Sequence, residues 1–254
     1  LSKSTFNTAL TNIVWIEFSP DGSQLATCDA NGMIRLWSVD GQERLSFVAH
    51  PSWAWAVRFS PDGKQLASCS GDYTVKLWDV ETGQCIHCFE AHSMSVLGIS
   101  FSPDGRWLAS SGFEQVVRIW DLKSRSCLTE IPGVSGRAIA VSPDGNYLAC
   151  LSQNQSAIVL WDVHQQAIAA ELLGHTKPIW SIHFSPDSQC LASGGEDGVV
   201  RLWNLSTQNC QQILSQASMQ WIWSLAFSPS GDRLLIADDS SIRQWDVNRN
   251  QWLR

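Results

Sequence analysis

A turn motif that recurs six times at a nearly constant interval constrains this chain more than any other feature. The pentapeptide Phe-Ser-Pro-Asp-Gly occurs three times unchanged and three times with one substitution. Its prolines are 40 to 43 residues apart, at Pro20, Pro61, Pro103, Pro143, Pro186 and Pro229. A tryptophan follows each proline by 16 to 18 residues, at Trp37, Trp78, Trp120, Trp161, Trp203 and Trp245. Two markers that keep one phase over six repeats indicate tandem structural units.

The second unit illustrates how one repeat is built. Residues 55–60, 66–68, 74–80 and 85–89 are strand-like, and turn residues separate them. Ser60-Pro61-Asp62-Gly63 suits a type I turn, with proline second and glycine fourth. No segment has a long helical period. The sequence therefore predicts an all-β fold, a β-propeller of about six four-stranded antiparallel blades. Each sheet is apolar on both faces and needs its neighbours to cover it, so we expect residues 1–254 to form a single domain.

The repeats resemble the WD-repeat family in the residues that end the third strand. Four of the six tryptophans precede an aspartate, and Trp37-Ser38 and Trp203-Asn204 are variants. A histidine lies eleven residues before the proline in three units. The resemblance covers essentially the whole chain and extends to the WD arrays of bacterial multidomain signalling proteins. It implies a buried hydrogen-bonded tetrad of His, Ser or Thr, Asp and Trp in each blade. The matching residues are His50, Ser68, Asp72 and Trp78; His92, Ser110, Glu114 and Trp120; and His175, Ser193, Asp197 and Trp203.

The other three units depart from this tetrad. The first keeps Thr27 and Trp37 but has Asn31 at the aspartate position. The fourth has Pro132 and Cys150 in place of His and Ser. The sixth has Ser218 and Ile236 there, and one residue is deleted before Trp245. Because a missing partner removes hydrogen bonds, we expect these three blades to be locally softer.

The two ends of the chain suggest how the array could close. Phe6 lies fourteen residues before Pro20, as the fourth-strand residues Phe47 and Phe89 do before their prolines. Residues 1–6 therefore read as a fourth strand that completes the sixth blade. The alternative is a piece cut from a longer array, which the first residue, leucine instead of methionine, also suggests.

Three kinds of catalytic or metal chemistry find little support. A Ser-His-Asp set also occurs in hydrolases, but here it recurs with Trp at positions fixed by the repeat. Cys85-Ile86-His87-Cys88 resembles half of a zinc site, yet residues i and i+3 of a strand point to opposite faces, so we expect the thiols to diverge. No glycine motif for a nucleotide is present. We expect no cofactor, no metal, no catalysis and, among the eight cysteines, free thiols.

Tryptophans beyond the repeat marker suggest a binding surface. Trp53, Trp55, Trp180, Trp221 and Trp223 lie at the start of the first strand, which lines the central channel in the resembled family. Arg137 occupies an equivalent position, and the residues before the tetrad acid, such as Phe113 and Glu196, are expected on the same rim. These residues either anchor a partner or pack the channel mouth, and the sequence leaves both open.

The favoured function is a non-catalytic interaction scaffold or sensor that binds a protein or peptide partner. A net charge of −7 disfavours nucleic acid, and the absence of a long apolar run disfavours a membrane. Without a secretory signal, a cytoplasmic location is expected. The alternative is an accessory propeller of a larger enzyme or of a nucleotide-dependent signalling protein.

Overall fold

The computed structural model describes residues 12–90, 92–216 and 219–253. These residues form 24 strands in six four-stranded sheets, and within each sheet every strand pairs antiparallel with the next along the chain. The predicted all-β class and its six β-propeller blades are confirmed. The chain divides into two compact units, Leu1–Pro132 and Gly133–Arg254, with three blades in each. The predicted N-terminal closing strand lies outside the described residues.

The first unit contains blades one to three. Their strands are β1 Ile13–Phe18, β2 Gln24–Asp29, β3 Met33–Ser38 and β4 Glu43–Val48; β5 Ala54–Phe59, β6 Gln65–Ser70, β7 Val75–Asp79 and β8 Cys85–Phe89; and β9 Val96–Phe101, β10 Trp107–Gly112, β11 Val116–Asp121 and β12 Ser126–Pro132.

The second unit contains blades four to six. Their strands are β13 Val134–Val141, β14 Tyr147–Ser152, β15 Ala157–Asp162 and β16 Ala167–Leu173; β17 Ile179–Phe184, β18 Cys190–Gly195, β19 Val200–Asn204 and β20 Asn209–Leu214; and β21 Ile222–Phe227, β22 Arg233–Asp238, β23 Ile242–Asp246 and β24 Gln251–Leu253.

The repeated Ser-Pro-Asp-Gly motif forms the turn between the first two strands of each blade. In blade two, the Ser60 hydroxyl donates to Asp62 Oδ1 at 2.6 Å and accepts the backbone N–H of Gln65 at 2.9 Å. The hydrogen bond from Ser60 holds the pKa of Asp62 below its usual value. Gly63 closes the turn at φ +70°, a left-handed conformation that favours glycine. The motif recurs because each of its residues has a specific role in this turn.

Neighbouring blades bury each other's apolar faces within each unit. In the first unit, Ile34 and Leu36 of blade one share a buried cluster with Val57 and Phe59 of blade two. Comparable clusters join blades two and three, four and five, and five and six. A single blade could not exclude water from both faces, so its stability depends on the blades beside it. Among the described residues, none forms a helix with the length and apolarity needed to span a bilayer.

Candidate functional site

A chain of hydrogen bonds links Trp, Ser, His and Asp in blades two and five. Trp78 Nε1 donates to Ser68 Oγ at 2.8 Å, Ser68 Oγ lies 2.7 Å from His50 Nε2, and His50 Nδ1 lies 2.8 Å from Asp72 Oδ2. In blade five the corresponding distances are 2.8, 2.7 and 2.9 Å, through Trp203, Ser193, His175 and Asp197. The four groups thus satisfy one another inside the sheet.

Blade three accommodates the longer glutamate at the acid position. The Glu114 carboxylate contacts His92 Nδ1, accepts the Ser93 hydroxyl at 2.7 Å and forms an ion pair with Arg118. His92 Nε2 lies 2.6 Å from Ser110 Oγ, which accepts the indole N–H of Trp120 at 2.8 Å. The extra methylene of Glu114 therefore leaves the hydrogen-bond chain complete. The carboxylate also gains contacts with Ser93, in the segment before β9, and with Arg118, in β11.

Burial sets the electrostatics of these networks. It lowers the pKa of His50 below its usual value, and the Asp72 carboxylate offsets this only in part. Burial would raise the pKa of Asp72, but hydrogen bonds from His50 and Thr74 outweigh it and lower that pKa. The pair is therefore a neutral imidazole that donates to a carboxylate. Ser68 and its equivalents have no solvent-exposed surface, so a hydrolytic substrate would not meet the hydroxyl in this conformation.

A different ion pair replaces the His–Asp contact in blades one and six. The fully buried Asp29 accepts from Arg35 Nη1 at 2.7 Å and from the backbone N–H groups of Asn31 and Met33. At the equivalent position in blade six, Asp238 accepts from Arg243 Nε at 3.0 Å. Sequence reasoning missed both aspartates. Two features of the sequence could have identified them. Each aspartate lies two residues after the Ser or Thr position of the tetrad, and each of these blades has an arginine two residues before its tryptophan.

The remaining tetrad substitutions leave two different environments. In blade one, Trp37 Nε1 still donates to Thr27 Oγ1 at 2.9 Å. In blade six, Ile236 removes the acceptor, and Trp245 Nε1 is buried with no hydrogen-bond partner among the described residues. In blade four, the fully buried Cys150 replaces serine, and burial raises its pKa to about 12. The blade-six deletion falls in the turn between β22 and β23, because Leu234 still pairs with Trp245. Ser218 lies outside the described residues.

The expectation that the Cys85 and Cys88 thiols diverge is wrong. Leu77 pairs with His87 and Trp78 pairs with Cys85, so Ile86 is the extra residue of a β-bulge. The bulge resets the alternation of side chains along β8. Both cysteines therefore lie on one face of the sheet, where Cys85 pairs with Trp78 and Cys88 pairs with Lys76. Burial raises the pKa of the Cys88 thiol, and a negative charge on Cys85 would raise it further. Two thiols remain short of the four ligands of a structural zinc site. None of the eight cysteines, all of which lie in the described part of the chain, forms a disulfide, and no cluster of three or more metal-ligating groups occurs among the described residues.

A second recurring β-bulge positions the candidate binding residues. In β5, Ala54 pairs with Ser70 and Ala56 pairs with Cys69, so Trp55 is the extra residue. The extra residues at the same place in the other regular first strands are Val14, Leu97, Trp180 and Trp223. Arg137 lies in the longer irregular stretch of β13 between Ser135 and Ala140. A bulge redirects its extra side chain from the regular alternation, and here it does so once per blade.

Backbone hydrogen bonds hold the residue before the tetrad acid beside the start of the first strand. Gly71 donates to the Trp53 carbonyl at 2.9 Å, Phe113 to that of Ser95 at 3.2 Å, and Glu196 to that of Pro178 at 2.9 Å. Phe113 is 51% exposed and Glu196 is partly buried. These bonds place each of the three residues on the same edge of its blade as the strand start.

Two tryptophan groups result, one in each unit. In the first, the rings of Trp53 and Trp55 are 5.0 Å apart, and Trp53 is 47% exposed. In the second, Trp223 lies 5.6 Å from both Trp180 and Trp221. Trp221 and Trp223 are 43% and 40% exposed, whereas the Nε1 atoms of Trp55 and Trp180 are buried without an acceptor in the described part of the chain. Part of each group is therefore packed and part is open to a partner.

Known families and proteins match this chain over its repeats. The family described as the IFT122 first beta-propeller matches residues 12–211, and the WD domain, G-beta repeat, matches residues 208–246. Protein groucho from Drosophila melanogaster is 33% identical over 105 residues, which are 41% of this chain and 14% of the relative. Pre-mRNA-processing factor 19 homolog 2 from Arabidopsis thaliana is 37% identical over 117 residues, 45% of this chain and 21% of the relative. Periodic tryptophan protein 2 homolog from Schizosaccharomyces pombe is 32% identical over 115 residues, 44% of this chain and 13% of the relative.

Proposed function

The chain belongs to the WD-repeat β-propeller family, and from that premise we propose that it is a non-catalytic scaffold that binds a protein or peptide segment. The observation that carries the proposal is the set of large indole rings exposed at the strand starts. Trp53, Trp221 and Trp223 expose 40–47% of their surface, although the neighbouring core positions are filled by other residues. Tryptophan is one of the three side chains that are enriched among the residues contributing most to protein interfaces.

The distribution of the tetrads supports a scaffold. The Ser-His-acid sets of blades two, three and five are equivalent, buried and satisfied within the protein. A catalytic set would be single and would face a substrate cleft. We therefore assign the tetrads to stability and assign binding to the strand starts.

The relatives limit how far this proposal extends. The chain spans 13–21% of the length of the three relatives named above, so their activities and partners are not transferred. Those relatives are eukaryotic, and the resemblance to bacterial multidomain arrays stays a prediction. The same is true of a cytoplasmic location and of the alternative, an accessory propeller attached to an enzyme or a nucleotide-dependent module.

A random peptide library displayed on phage and selected against the immobilised protein tests the proposal. We expect selected peptides to bind wild-type protein and to lose affinity on Trp53→Leu or Trp221→Leu. The matched control is Leu128→Ala, which alters an exposed apolar residue on the outermost strand of blade three. Binding should survive the control. Failure to select any peptide, or equal loss with all three variants, would count against a binding surface at the strand starts.

A further inference from the structure

The tryptophan cluster of the second unit, Trp180, Trp221 and Trp223, has a carboxylate in contact with one of its rings. Asp239 accepts the indole N–H of Trp223. It occupies the same position in blade six as Glu196 does in blade five, one residue before the tetrad-acid position. The turn at Gly198 lies against the segment leading to Trp221, since a Cβ there would be 3.0 Å from the Gln220 carbonyl oxygen. Asp239 thus contacts the indole cluster directly, and the backbone of the Glu196 turn lies beside the segment that leads to it.

The exposed part of this cluster is suited to a cation. An indole face attracts a cation through its quadrupole, and a guanidinium is the most frequent partner because it is planar and weakly hydrated. Asp239 uses Oδ1 for the indole and retains Oδ2 as an acceptor. The net charge of −7 adds long-range attraction for a basic partner.

The first unit contains this chemistry within the chain itself. The Arg58 guanidinium carbon lies 4.5 Å from the Trp15 ring centroid, and Arg58 Nη1 donates to Glu17 Oε2 at 2.6 Å. One arginine thus stacks on an indole and pairs with a carboxylate on first strands of adjacent blades. Trp221, Trp223 and Asp239 present the indole and carboxylate halves of the same arrangement to solvent.

We propose that the Trp221–Trp223–Asp239 side of this cluster binds an arginine side chain of a basic peptide segment. The inference rests on the proposed function and names the class of partner for that surface. Trp221 and Trp223 are the exposed rings of this cluster, whereas Nε1 of Trp180 is buried. The guanidinium therefore lies over Trp221 and Trp223 and donates to Asp239.

Fluorescence anisotropy with a fluorescein-labelled peptide, three Gly-Arg repeats long, tests this assignment. Two matched peptides replace arginine by citrulline, which keeps the shape without the charge, or by lysine. We expect the citrulline peptide to bind about 3- to 30-fold more weakly, the range of a cation–π contact. Trp221→Leu and Asp239→Asn should weaken the arginine peptide by a similar factor. Leu128→Ala, on the outermost strand of blade three and outside the strand starts, should leave it unchanged.

The controls separate this inference from the proposed function. Asp239 is exposed, so Asp239→Asn is expected to melt as the wild type does, and it tests the charge without a folding defect. Equal binding of the citrulline peptide, or no effect of either variant, overturns the inference. Equal binding of the lysine peptide overturns the guanidinium assignment. Library peptides that lack arginine but still require Trp221 would overturn the inference and leave the proposed function intact.

Discussion

Replacing Asp197 by alanine tests whether the hydrogen-bond chain in blade five stabilises the fold. The side chain of His175 is fully buried and that of Asp197 is 6% exposed. The variant removes the carboxylate that lies 2.9 Å from His175 Nδ1 and also accepts the backbone N–H of Thr176. It leaves a buried imidazole N–H without an acceptor. A hydrogen bond to a charged group contributes about 1.5–3 kcal/mol, and an orphaned buried donor costs about 1–3 kcal/mol.

These two contributions overlap, because both describe loss of the same contact, so we expect a destabilisation of about 2–4 kcal/mol. For a chain of this size, that corresponds to a fall in Tm of about 4–16 °C. Asp197→Asn keeps an acceptor oxygen without its charge and should fall between alanine and wild type. Differential scanning calorimetry at pH 7.5 measures all variants.

The control for this series is Asn31→Ala. Asn31 occupies the equivalent position in blade one, but it is exposed and blade one uses Asp29 for the buried contact. We expect its Tm to stay within about 1 °C of wild type, as for most surface substitutions. If Asp197→Ala melts no lower than Asn31→Ala, then the blade-five hydrogen-bond chain does not contribute to stability and the assignment is wrong.

Three further predictions concern other parts of the same framework. The variants Ile236→Thr and Ile236→Val introduce side chains of equal size, but only threonine offers Trp245 Nε1 a hydrogen-bond acceptor. We therefore expect the threonine variant to be more stable by about 1 kcal/mol in urea unfolding. A more stable valine variant would contradict this. Iodoacetamide at pH 8 should modify the exposed Cys85 before Cys150, whose pKa burial raises to about 12, and mass spectrometry of the native protein would reveal the opposite order. Burial lowers the pKa of His50 below its usual 6.5, so the folded protein binds this proton less readily than the unfolded chain does. The contribution of neutral His50 to stability is therefore complete above pH 6.5 and is lost as the pH falls below that value. Equal urea midpoints at pH 7.5 and pH 5 would refute this prediction.

Repetition made most of the fold readable from the sequence. The turn motif and the tryptophan fix the phase of each unit, and from that phase the strand order and the tetrad positions follow. Even the deletion before Trp245 was visible, although only the pairing of Leu234 with Trp245 places it in a turn. A repeated residue is informative because each copy reports the same backbone environment.

The features that sequence reasoning missed are of two kinds. The bulges at Trp55 and Ile86 leave no residue signature, since the extra residue differs from blade to blade, and strict two-residue alternation therefore misplaced Cys85 and Cys88. Asp29 and Asp238 were missed because a comparison of repeats discounts positions that vary. Their role becomes clear only from two facts taken together. These blades lack the tetrad histidine, and each has an arginine that pairs with the aspartate. Blades one and six thus have a replacement contact, which weakens the reason to expect them to be softer.

The bulge in the first strand separates stability from recognition. Its backbone geometry recurs in five regular first strands, while its side chain is Val14, Trp55, Leu97, Trp180 or Trp223. The tetrad positions behave in the opposite way, because the same residue types recur wherever the buried contacts are made. At such a position the backbone conformation recurs while the side chain varies. The side chain can therefore change without loss of the shared fold. For that reason, substitutions at the exposed bulge residue Trp223 and at the neighbouring Asp239 should alter partner choice more than stability, whereas tetrad substitutions should alter stability first.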